Sequence, residues 1–373
     1  MTSFDFRPRT RVLFGSGEFA RLGEVARELG GSRCLLVADQ GMVDAGYTQQ
    51  AVRSLKARRM EVFAFHDFSA DPTIAMVEDG ARYASPHNVD LVVGLGGGSS
   101  LDCAKAVNLL LTSGGRLQDY RGYGKARQAF LQMLAVPTTA GPGAESQTNT
   151  WIVDPDTKEK ISCGDARMVY RTAILDPDLT LTQPAQVTAS SGFDAIAHAI
   201  ETLISTRRNA ASECFSREAW RLLGANFERV LKNPEDVNAR GAMLVGSHFA
   251  GLAAENANLG VAHACAEPLR ANYGLAHGAA LALVLPAVIE WTAADEDVLL
   301  PPDIFGLPDF DLPGHLRKLA QRAGLPTSMS EAKIPEGALP RLADAAVVQW
   351  TGKFSPRKFD TEAALEIYRS ALS

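Results

Sequence analysis

Three histidines and two acidic residues lie at spacings that suit metal binding. Asp194 and His198 are four residues apart in "DAIAHAIE", His263 and Glu267 are four apart in "HACAE", and His277 follows in "LAHGAAL". Residues i and i+4 share one face of a helix, so one helix can direct two ligands at one ion. One carboxylate and three imidazoles complete the coordination of a divalent transition metal such as Zn²⁺ or Fe²⁺. A helical histidine is more often structural, so spacing alone leaves both interpretations open.

A glycine-rich turn provides a second candidate site. "GLGGGSSLDCAK", residues 94–105, follows the apolar run "VDLVV" and reads as a strand, a turn and the start of a helix. Backbone N–H groups and the helix dipole at such a start favour an anion. The pattern is neither GxGxxG nor a Walker loop, so it indicates a phosphate-bearing ligand or only a tight turn. Asp102 and Lys105 could face that ligand or form a surface ion pair.

Two further segments are compatible with a dinucleotide. Asp39 ends the apolar run "CLLVAD", where a carboxylate can accept hydrogen bonds from a ribose 2′-hydroxyl and repel a 2′-phosphate. That placement favours NAD over NADP, although an Asp after a strand is commonly just a turn residue. "PTTAGPGAE", residues 137–145, offers small residues for close packing against a cofactor, or is merely a loop.

The elements that must position these residues change in character along the chain. Up to about Leu181, short apolar runs such as "RVLF", "CLLVAD", "EVFAF", "LVVGL", "QMLAVP" and "TAILDP" are separated by helical patterns. This alternation predicts an α/β domain with a mostly parallel sheet over residues 1–181. Residues 182–373 read almost entirely as helices, with "TLTQPAQ" as a hinge and "LLPPDIFGLPDFDLPG" as a proline-rich surface loop.

Composition restricts the partners. The 373-residue chain has a formal charge of −6, which argues against nucleic-acid binding as its main function. No apolar run reaches the roughly 18–20 residues of a membrane span, and the first residues lack the apolar core of a signal peptide. Five scattered cysteines without CxxC spacing indicate neither a disulfide framework nor a thiolate zinc site. We therefore expect a reduced, cytoplasmic protein with a small-molecule substrate.

Taken together, these motifs resemble the iron-dependent (group III) alcohol dehydrogenase family. The similarity runs nearly end to end, through "VLFGSGEFARLGE", "GGGSSLDCAK", "PTTAGPGAE", "ILDPDLT", "GFDAIAHAIE", "NLGVAHACAEPL" and "HGAALALVLPAV". The resemblance implies an N-terminal dinucleotide-binding domain, a helical metal-binding domain (a dehydroquinate synthase-like arrangement) and an active site in the cleft between them. It also implies NAD(P)-dependent interconversion of alcohols and aldehydes or ketones, and often a dimer or larger homo-oligomer.

The resemblance assigns roles residue by residue. The implied metal ligands, for Fe²⁺ or Zn²⁺, are Asp194, His198, His263 and His277. The implied NAD-binding residues are Asp39, Gly96, Gly97, Gly98, Ser99, Asp102, Thr138, Thr139, Lys160 and Leu179. We assign the catalytic roles to Glu267 and to the ligand His277.

The sequence departs from the family pattern beside the third ligand. Glu267 stands where the family usually has a second histidine, and Arg270 stands where it usually has glycine. Glu267 could transfer the proton, add a ligand or pair with Arg270. Arg270 could instead clamp an acidic substrate group. Pro142 replaces a common threonine near the expected nicotinamide.

These observations predict a metal-dependent NAD(H) oxidoreductase that interconverts an alcohol and an aldehyde or ketone. Three alternatives remain open at this point. One is a reductase specific for an acidic aldehyde held by Arg270. Another is a dehydroquinate synthase-like lyase, which would need several Lys or Arg residues near the metal ligands. The last is an inactive family member that binds NAD for regulation.

Overall fold

A six-stranded parallel sheet organises the first half of the chain. The computed structural model describes residues 3–7, 9–295 and 311–373. In chain order the strands are β1 (Arg11–Phe14), β2 (Arg33–Ala38), β3 (Glu61–Phe65), β4 (Leu91–Gly96), β5 (Gly122–Tyr123), β6 (Gln132–Pro137), β7 (Asn149–Val153), β8 (Lys160–Gly164) and β9 (Thr172–Leu175). The order in the six-stranded sheet is β1-β9-β6-β4-β2-β3, and every pairing in it is parallel.

Helices cover both faces of this sheet, which explains why its central strands are almost continuously apolar. They are α1 (Leu22–Glu28), α2 (Gln40–Asp44), α3 (Tyr47–Ala57), α4 (Ile74–Ala84) and α5 (Gly98–Ser113). On one face Leu95 of β4 lies in a buried cluster with Leu22 of α1 and Leu55 of α3. On the other face Gly94 leaves room for Leu101 of α5, because a Cβ at Gly94 would lie 3.0 Å from its Cδ2. The predicted α/β architecture is confirmed.

A second, smaller sheet was not predicted. β5, β8 and β7 form it, with β7 and β8 antiparallel and β5 and β8 parallel. The two-residue strand β5 carries no alternating pattern, and β7 and β8 are separated by the polar turn 154–159. Short strands of this kind have a weak sequence signal.

The second half of the chain is helical. After Gln183, the described residues contain no strand. The helices are α6 (Ala185–Ile204), α7 (Ala210–Lys232), α8 (Val237–Ala257), α9 (Val261–Tyr273), α10 (His277–Ala293), α11 (Leu312–Arg322), α12 (Leu339–Val347) and α13 (Thr361–Ser370). Most of the predicted proline-rich loop, residues 299–314, lies outside the described residues, and its last residues, Leu312–Gly314, begin α11.

α6 and α10 are the central helices of this half. Fifteen of the 20 residues of α6 and 14 of the 17 residues of α10 are buried, so neither shows a clear polar face. Phe193 and Ile200 of α6 share one apolar cluster with Leu283 of α10 and with residues from the surrounding helices. Ionisable side chains within such helices are costly unless they are paired or bind an ion.

The chain divides into two compact units. The α/β unit comprises Arg7–Thr139 and Gly143–Gln183. The helical unit comprises the residues up to Phe6, Ala140–Pro142 and Pro184–Ser373. Ala140–Pro142 belongs to the helical unit, where the Ser247 hydroxyl donates a 2.9 Å hydrogen bond to the Gly141 carbonyl. No helix among the described residues has the length and apolar character that crossing a membrane requires.

Lys105 of α5 is fully buried in the α/β unit. Its ammonium group donates 2.7 Å hydrogen bonds to the carbonyls of Ala144 and Asn149 and lies 3.7 Å from the Asp102 carboxylate. The alternative of a surface ion pair between Asp102 and Lys105 is therefore wrong, since β7 covers this face of α5. Lys105 instead ties α5 to the segment that follows β6.

We expect Lys105→Met to lower the free energy of unfolding by about 2–4 kcal/mol, because two buried carbonyls lose their donor. Methionine keeps the apolar stem, so the change isolates the ammonium group. Urea unfolding followed by circular dichroism measures the loss. Lys56→Met, the same change on an exposed residue of α3, is the control. Equal stabilities of the two variants would contradict the role assigned to Lys105.

Candidate functional site

Three imidazoles face one carboxylate oxygen in the helical unit. Asp194 Oδ1 lies 3.5 Å from His198 Nε2, 3.6 Å from His263 Nε2 and 3.9 Å from His277 Nε2. Ligand atoms around a tetrahedral ion with bonds of about 2.1 Å are separated by about 3.4 Å. The structure thus brings together all four side chains that the sequence proposes as metal ligands.

Burial and hydrogen bonding test whether this cluster suits a cation. Asp194, His198 and His263 are 3–8% exposed. Asp194 Oδ1 and His263 Nε2 have no hydrogen-bond partner among the described residues, although they face each other. The ligand atoms of Asp194, His263 and His277 all lie within 4.8 Å of one another. Unsatisfied buried donors and acceptors are rare in proteins, and a divalent ion between Asp194 Oδ1 and His263 Nε2 would satisfy both atoms, so the residues fit a metal.

Local helix geometry explains the convergence. Asp194 and His198 are one turn apart on α6, His263 lies in the first turn of α9, and His277 is the first residue of α10. Gly278 follows His277, and a Cβ there would lie 1.8 Å from the carbonyl oxygen of Ser190. This glycine therefore allows the start of α10 to approach α6. His277 is the most exposed ligand, with 29% of its side chain accessible.

A second carboxylate supports the cluster. Glu201 of α6 is completely buried, its Oε2 is hydrogen-bonded to His263 Nδ1, and its Oε1 accepts a 2.6 Å hydrogen bond from the Ala262 N–H. Glu201 is not among the site residues predicted from the sequence. A signal was present, since Glu201 follows His198 by three residues and so shares its helix face.

The surroundings of the cluster favour an ionised Asp194 and give His198 and His263 different protonation states. Burial opposes the charge of Asp194, yet His277, His263 and His198 hold its pKa well below the usual range. Burial lowers the pKa of His198 to about 3 against the attraction of Asp194. Burial would also lower the pKa of His263, but Glu201 and Asp194 outweigh it and raise that pKa to about 9. Without metal, His263 is therefore protonated near neutral pH.

Glu267 and Arg270 form a buried ion pair on α9. Arg270 Nε donates to Glu267 Oε2 at 2.9 Å, and Arg270 Nη2 donates to Glu267 Oε1 at 2.6 Å. Their side chains are 13% and 9% exposed. The geometry is the salt pair that the i,i+3 spacing allows, with the guanidinium fork bound to a carboxylate of the same chain.

The glycine turn lies at the carboxyl ends of three neighbouring strands of the α/β unit. Gly96 ends β4 with φ +140°, and a Cβ there would lie 2.5 Å from Ser100 Oγ. On one side the Ser100 hydroxyl donates a 2.6 Å hydrogen bond to Asp39, which follows β2. On the other side a Cβ at Gly97 would lie 3.2 Å from Thr139, which follows β6. The turn is thus held between the two segments that the sequence analysis grouped with it.

The backbone around this turn begins α5. Gly97 is the N-cap, and Gly98 and Ser99 are the first two helical residues. The N–H groups of a first helical turn have no partner within the helix, which suits a phosphate. Thr138 is nearly buried, and its N–H donates a 2.9 Å hydrogen bond to the Gly96 carbonyl.

Three other residues of the implied cofactor set have different surroundings. Asp102 accepts a 3.2 Å hydrogen bond from the Trp151 N–H, and burial raises its pKa although Lys105 and Lys160 oppose the change. Lys160 lies 3.0 Å from the Asp71 carboxylate. Leu179 is buried in the apolar cluster that contains Leu22 and Leu95. Asp102 and Lys160 are thus electrostatically coupled, whereas Leu179 lies in the core.

Metal affinity should rise with pH because the metal must displace the proton of His263. Between about pH 6 and 8 we expect the association constant for Zn²⁺ to increase about tenfold per pH unit, levelling off near the His263 pKa of about 9. His198, with a pKa of about 3, contributes no proton in this range. Competition with a chelator whose protonation constants are known measures the association constant at each pH. An affinity that does not change with pH would contradict a protonated His263.

Comparisons with known proteins agree with this geometry. The family model for iron-containing alcohol dehydrogenases matches residues 8–177, and the model for the C-terminal region of that family matches residues 188–372. The NAD-dependent methanol dehydrogenase of Bacillus methanolicus is 28% identical, with 100% of both chains covered. The 1,3-propanediol dehydrogenase of Klebsiella pneumoniae is 30% identical, with 99% of this chain and 98% of that protein covered.

Solved structures of dehydrogenases and reductases also resemble this chain over its whole length. The crystal structure of a 1,3-propanediol oxidoreductase superposes with a TM-score of 0.93 at 29% identity, covering 100% of both chains. A sulfoacetaldehyde reductase from Bifidobacterium kashiwanohense in complex with NAD⁺ superposes with a TM-score of 0.90 at 25% identity, again over 100% of both chains. Since the two family models together match 355 of the 373 residues, the chain belongs to the iron-containing alcohol dehydrogenase family.

Proposed function

We propose that this protein is a metal-dependent NAD(H) oxidoreductase that interconverts an alcohol and an aldehyde or ketone. The observation that carries the proposal is the convergence of His198, His263 and His277 on Asp194 Oδ1. The ligand set suits Fe²⁺ and also Zn²⁺. The names of the methanol and 1,3-propanediol dehydrogenases support small alcohols as the substrate class.

The chemistry supplied by the bound groups is polarisation of the substrate oxygen by the metal and hydride exchange at the nicotinamide carbon. Asp194, His198, His263 and His277 would hold the metal, and the charge of Asp194 would offset part of the charge of a divalent ion. His277, the most exposed ligand, marks the side of the cluster that a substrate can approach. The surrounding apolar helices exclude water and so strengthen these interactions.

The α/β unit would hold the dinucleotide. Backbone N–H groups of Gly97, Gly98 and Ser99 would bind the pyrophosphate, and Asp39 would accept hydrogen bonds from the adenosine ribose. Thr138 and Thr139 follow the adjacent strand and would pack against the cofactor. Asp102 and Lys160 complete the proposed set, together with Leu179 from the core.

Glu267 remains our candidate for proton transfer. Both of its oxygens accept hydrogen bonds from Arg270, yet a carboxylate offers about four acceptor positions. Glu267 can therefore bind a water or a substrate hydroxyl while it stays paired. Proton transfer through water and the ribose hydroxyls is the alternative route.

The same ion pair weakens the competing functions. An acidic-aldehyde reductase needs the Arg270 fork for its substrate, but Glu267 occupies that fork. A dehydroquinate synthase-like lyase needs several cationic groups beside the ligands, and Arg270 is the one that the sequence places there. An inactive NAD-binding protein would have no use for four converging ligands.

We also propose that the protein is a cytoplasmic homodimer. The free thiols of Cys34, Cys103, Cys163, Cys214 and Cys265 fit a reducing compartment. β1 is an edge strand whose Val12 and Phe14 are 38% and 51% exposed. An apolar edge strand is a template for pairing with another chain, and a second copy would cover it. Sedimentation equilibrium tests the dimer.

We predict that His198→Ala protein loses its bound metal and that its turnover falls at least about a thousandfold, since metal catalysis supplies several kcal/mol. His87→Ala is the matched control, because His87 stacks on Phe63 in the α/β unit and is not one of the four proposed metal ligands. Elemental analysis and NADH absorbance with an alcohol panel provide the readouts. Full activity of the metal-free variant would refute the metal assignment.

Asp39 should determine the choice between NAD and NADP. We expect Asp39→Asn and Asp39→Ala to raise the ratio of kcat/KM for NADP to that for NAD by roughly 10–100-fold, because a charge repulsion is removed. Asp39 caps α2 by accepting the Met42 N–H, and Asn can do the same. Asp39→Asn therefore removes the negative charge while keeping the helix cap. If neither variant changes cofactor selectivity, Asp39 does not contact the ribose.

A further inference from the structure

Glu201 is a buried carboxylate that the reaction outlined above does not use. It lies on α6 with Asp194 and His198, at spacings of four and three residues that place all three on one face of the helix. No part of Glu201 is exposed. A buried acid needs partners for both oxygens, and those partners identify its role.

Each oxygen of Glu201 has its own donor on α9. Oε1 accepts a 2.6 Å hydrogen bond from the Ala262 N–H, and Oε2 is hydrogen-bonded to His263 Nδ1. Ala262 is the second residue of α9, where an N–H has no acceptor within its own helix. Only a carboxylate offers two oxygen acceptors on one side chain. Glu201 thus fixes the beginning of α9 and the His263 ring together.

The contact with His263 determines which nitrogen keeps its proton when a metal binds. When Nδ1–H donates to Glu201, the proton that a metal must displace is the one on Nε2, which lies 3.6 Å from Asp194 Oδ1. The neutral ring that remains is the Nδ1–H tautomer. That tautomer is the one required for binding a metal through Nε2. Carboxylates in this position orient metal-binding histidines and increase their basicity.

The chain is also adapted to the position of Glu201. Gly260 is the N-cap of α9, and a Cβ there would lie 3.0 Å from Glu201 Oε1. Its φ of −128° is accessible to other residues, so the close approach of the carboxylate, not backbone strain, accounts for glycine at this position.

We propose that Glu201 is a positioning residue that holds His263 in its metal-binding tautomer and fixes α9 relative to the ligands of α6. Its negative charge adds to that of Asp194, and the two carboxylates balance the charge of a divalent ion in an apolar interior. This inference rests on the proposed function only through the assignment of the metal ligands.

Substituting Glu201→Gln tests the inference. One of the two donors must then face the amide NH₂ group, so either the Ala262 N–H or the His263 Nδ1–H loses its acceptor. We expect the dissociation constant for Zn²⁺ to increase about 10–100-fold, measured by chelator competition without NAD or substrate. Glu218→Gln, the same change at a partly exposed residue of α7 that pairs with Arg221, should bind Zn²⁺ like the unmodified protein.

Two further measurements separate positioning from a general loss of stability. In the Zn²⁺-loaded protein, NMR should show a slowly exchanging Nδ1–H resonance of His263 that shifts or exchanges faster in Glu201→Gln, because a neutral amide replaces the charged acceptor. Gly260→Ala should displace the carboxylate without changing its charge, weakening Zn²⁺ binding less than Glu201→Gln does. If Glu201→Gln does not fold, the Gly260→Ala variant provides the test. In the variant that is tested, an unchanged Zn²⁺ affinity together with an unchanged His263 Nδ1–H resonance would overturn the proposal.

The outcome also distinguishes this inference from the metal assignment. If His198→Ala loses Zn²⁺ while Glu201→Gln binds it within twofold of the unmodified protein, the positioning role is wrong and the metal site stands. If His198→Ala keeps full affinity, the metal site itself is wrong, and the inference about Glu201 fails with it.

Discussion

The structure of the helical unit depends on a single buried carboxylate oxygen that faces three imidazole nitrogens. Asp194 lies in the part of α6 from Gly192 to Ile204, where every residue is buried and most are apolar. An ionised group in such surroundings is costly unless opposite charge is close by. The imidazoles supply part of that charge when protonated, and a divalent cation would supply all of it. A metal therefore explains why this polar cluster occurs in the apolar core.

Several other features of the helical unit follow from the need to place three imidazoles around Asp194. Gly278 lets α10 start against α6, which brings His277 into range. Glu201 pairs with His263 on the side away from Asp194. Small residues around the ligands, such as Ala195, Ala262 and Ala279, allow the three helices to approach closely. Stability and ligand geometry thus depend on the same contacts.

Much of this could be predicted from the sequence, and the remainder has identifiable physical causes. The i,i+4 spacing of Asp194 and His198 is a local property of a helix, as is the strand-turn-helix pattern around Gly96. The meeting of α9 and α10 with α6 depends on tertiary packing, which spacing cannot show. Lys105 illustrates the limit, since its spacing from Asp102 also allows a surface ion pair. It is buried instead because β7, a strand with a weak sequence signal, packs against α5. Glu201 was overlooked because its partner, His263, is distant in the chain.

X-ray absorption spectroscopy of the metal in the purified protein tests the central claim most directly. The account predicts about one metal ion per chain, bound by nitrogen and oxygen at about 2.0–2.2 Å, with the outer-shell scattering of three imidazoles. Sulfur ligands, fewer than two imidazoles, or a substoichiometric ion that gel filtration removes would contradict it.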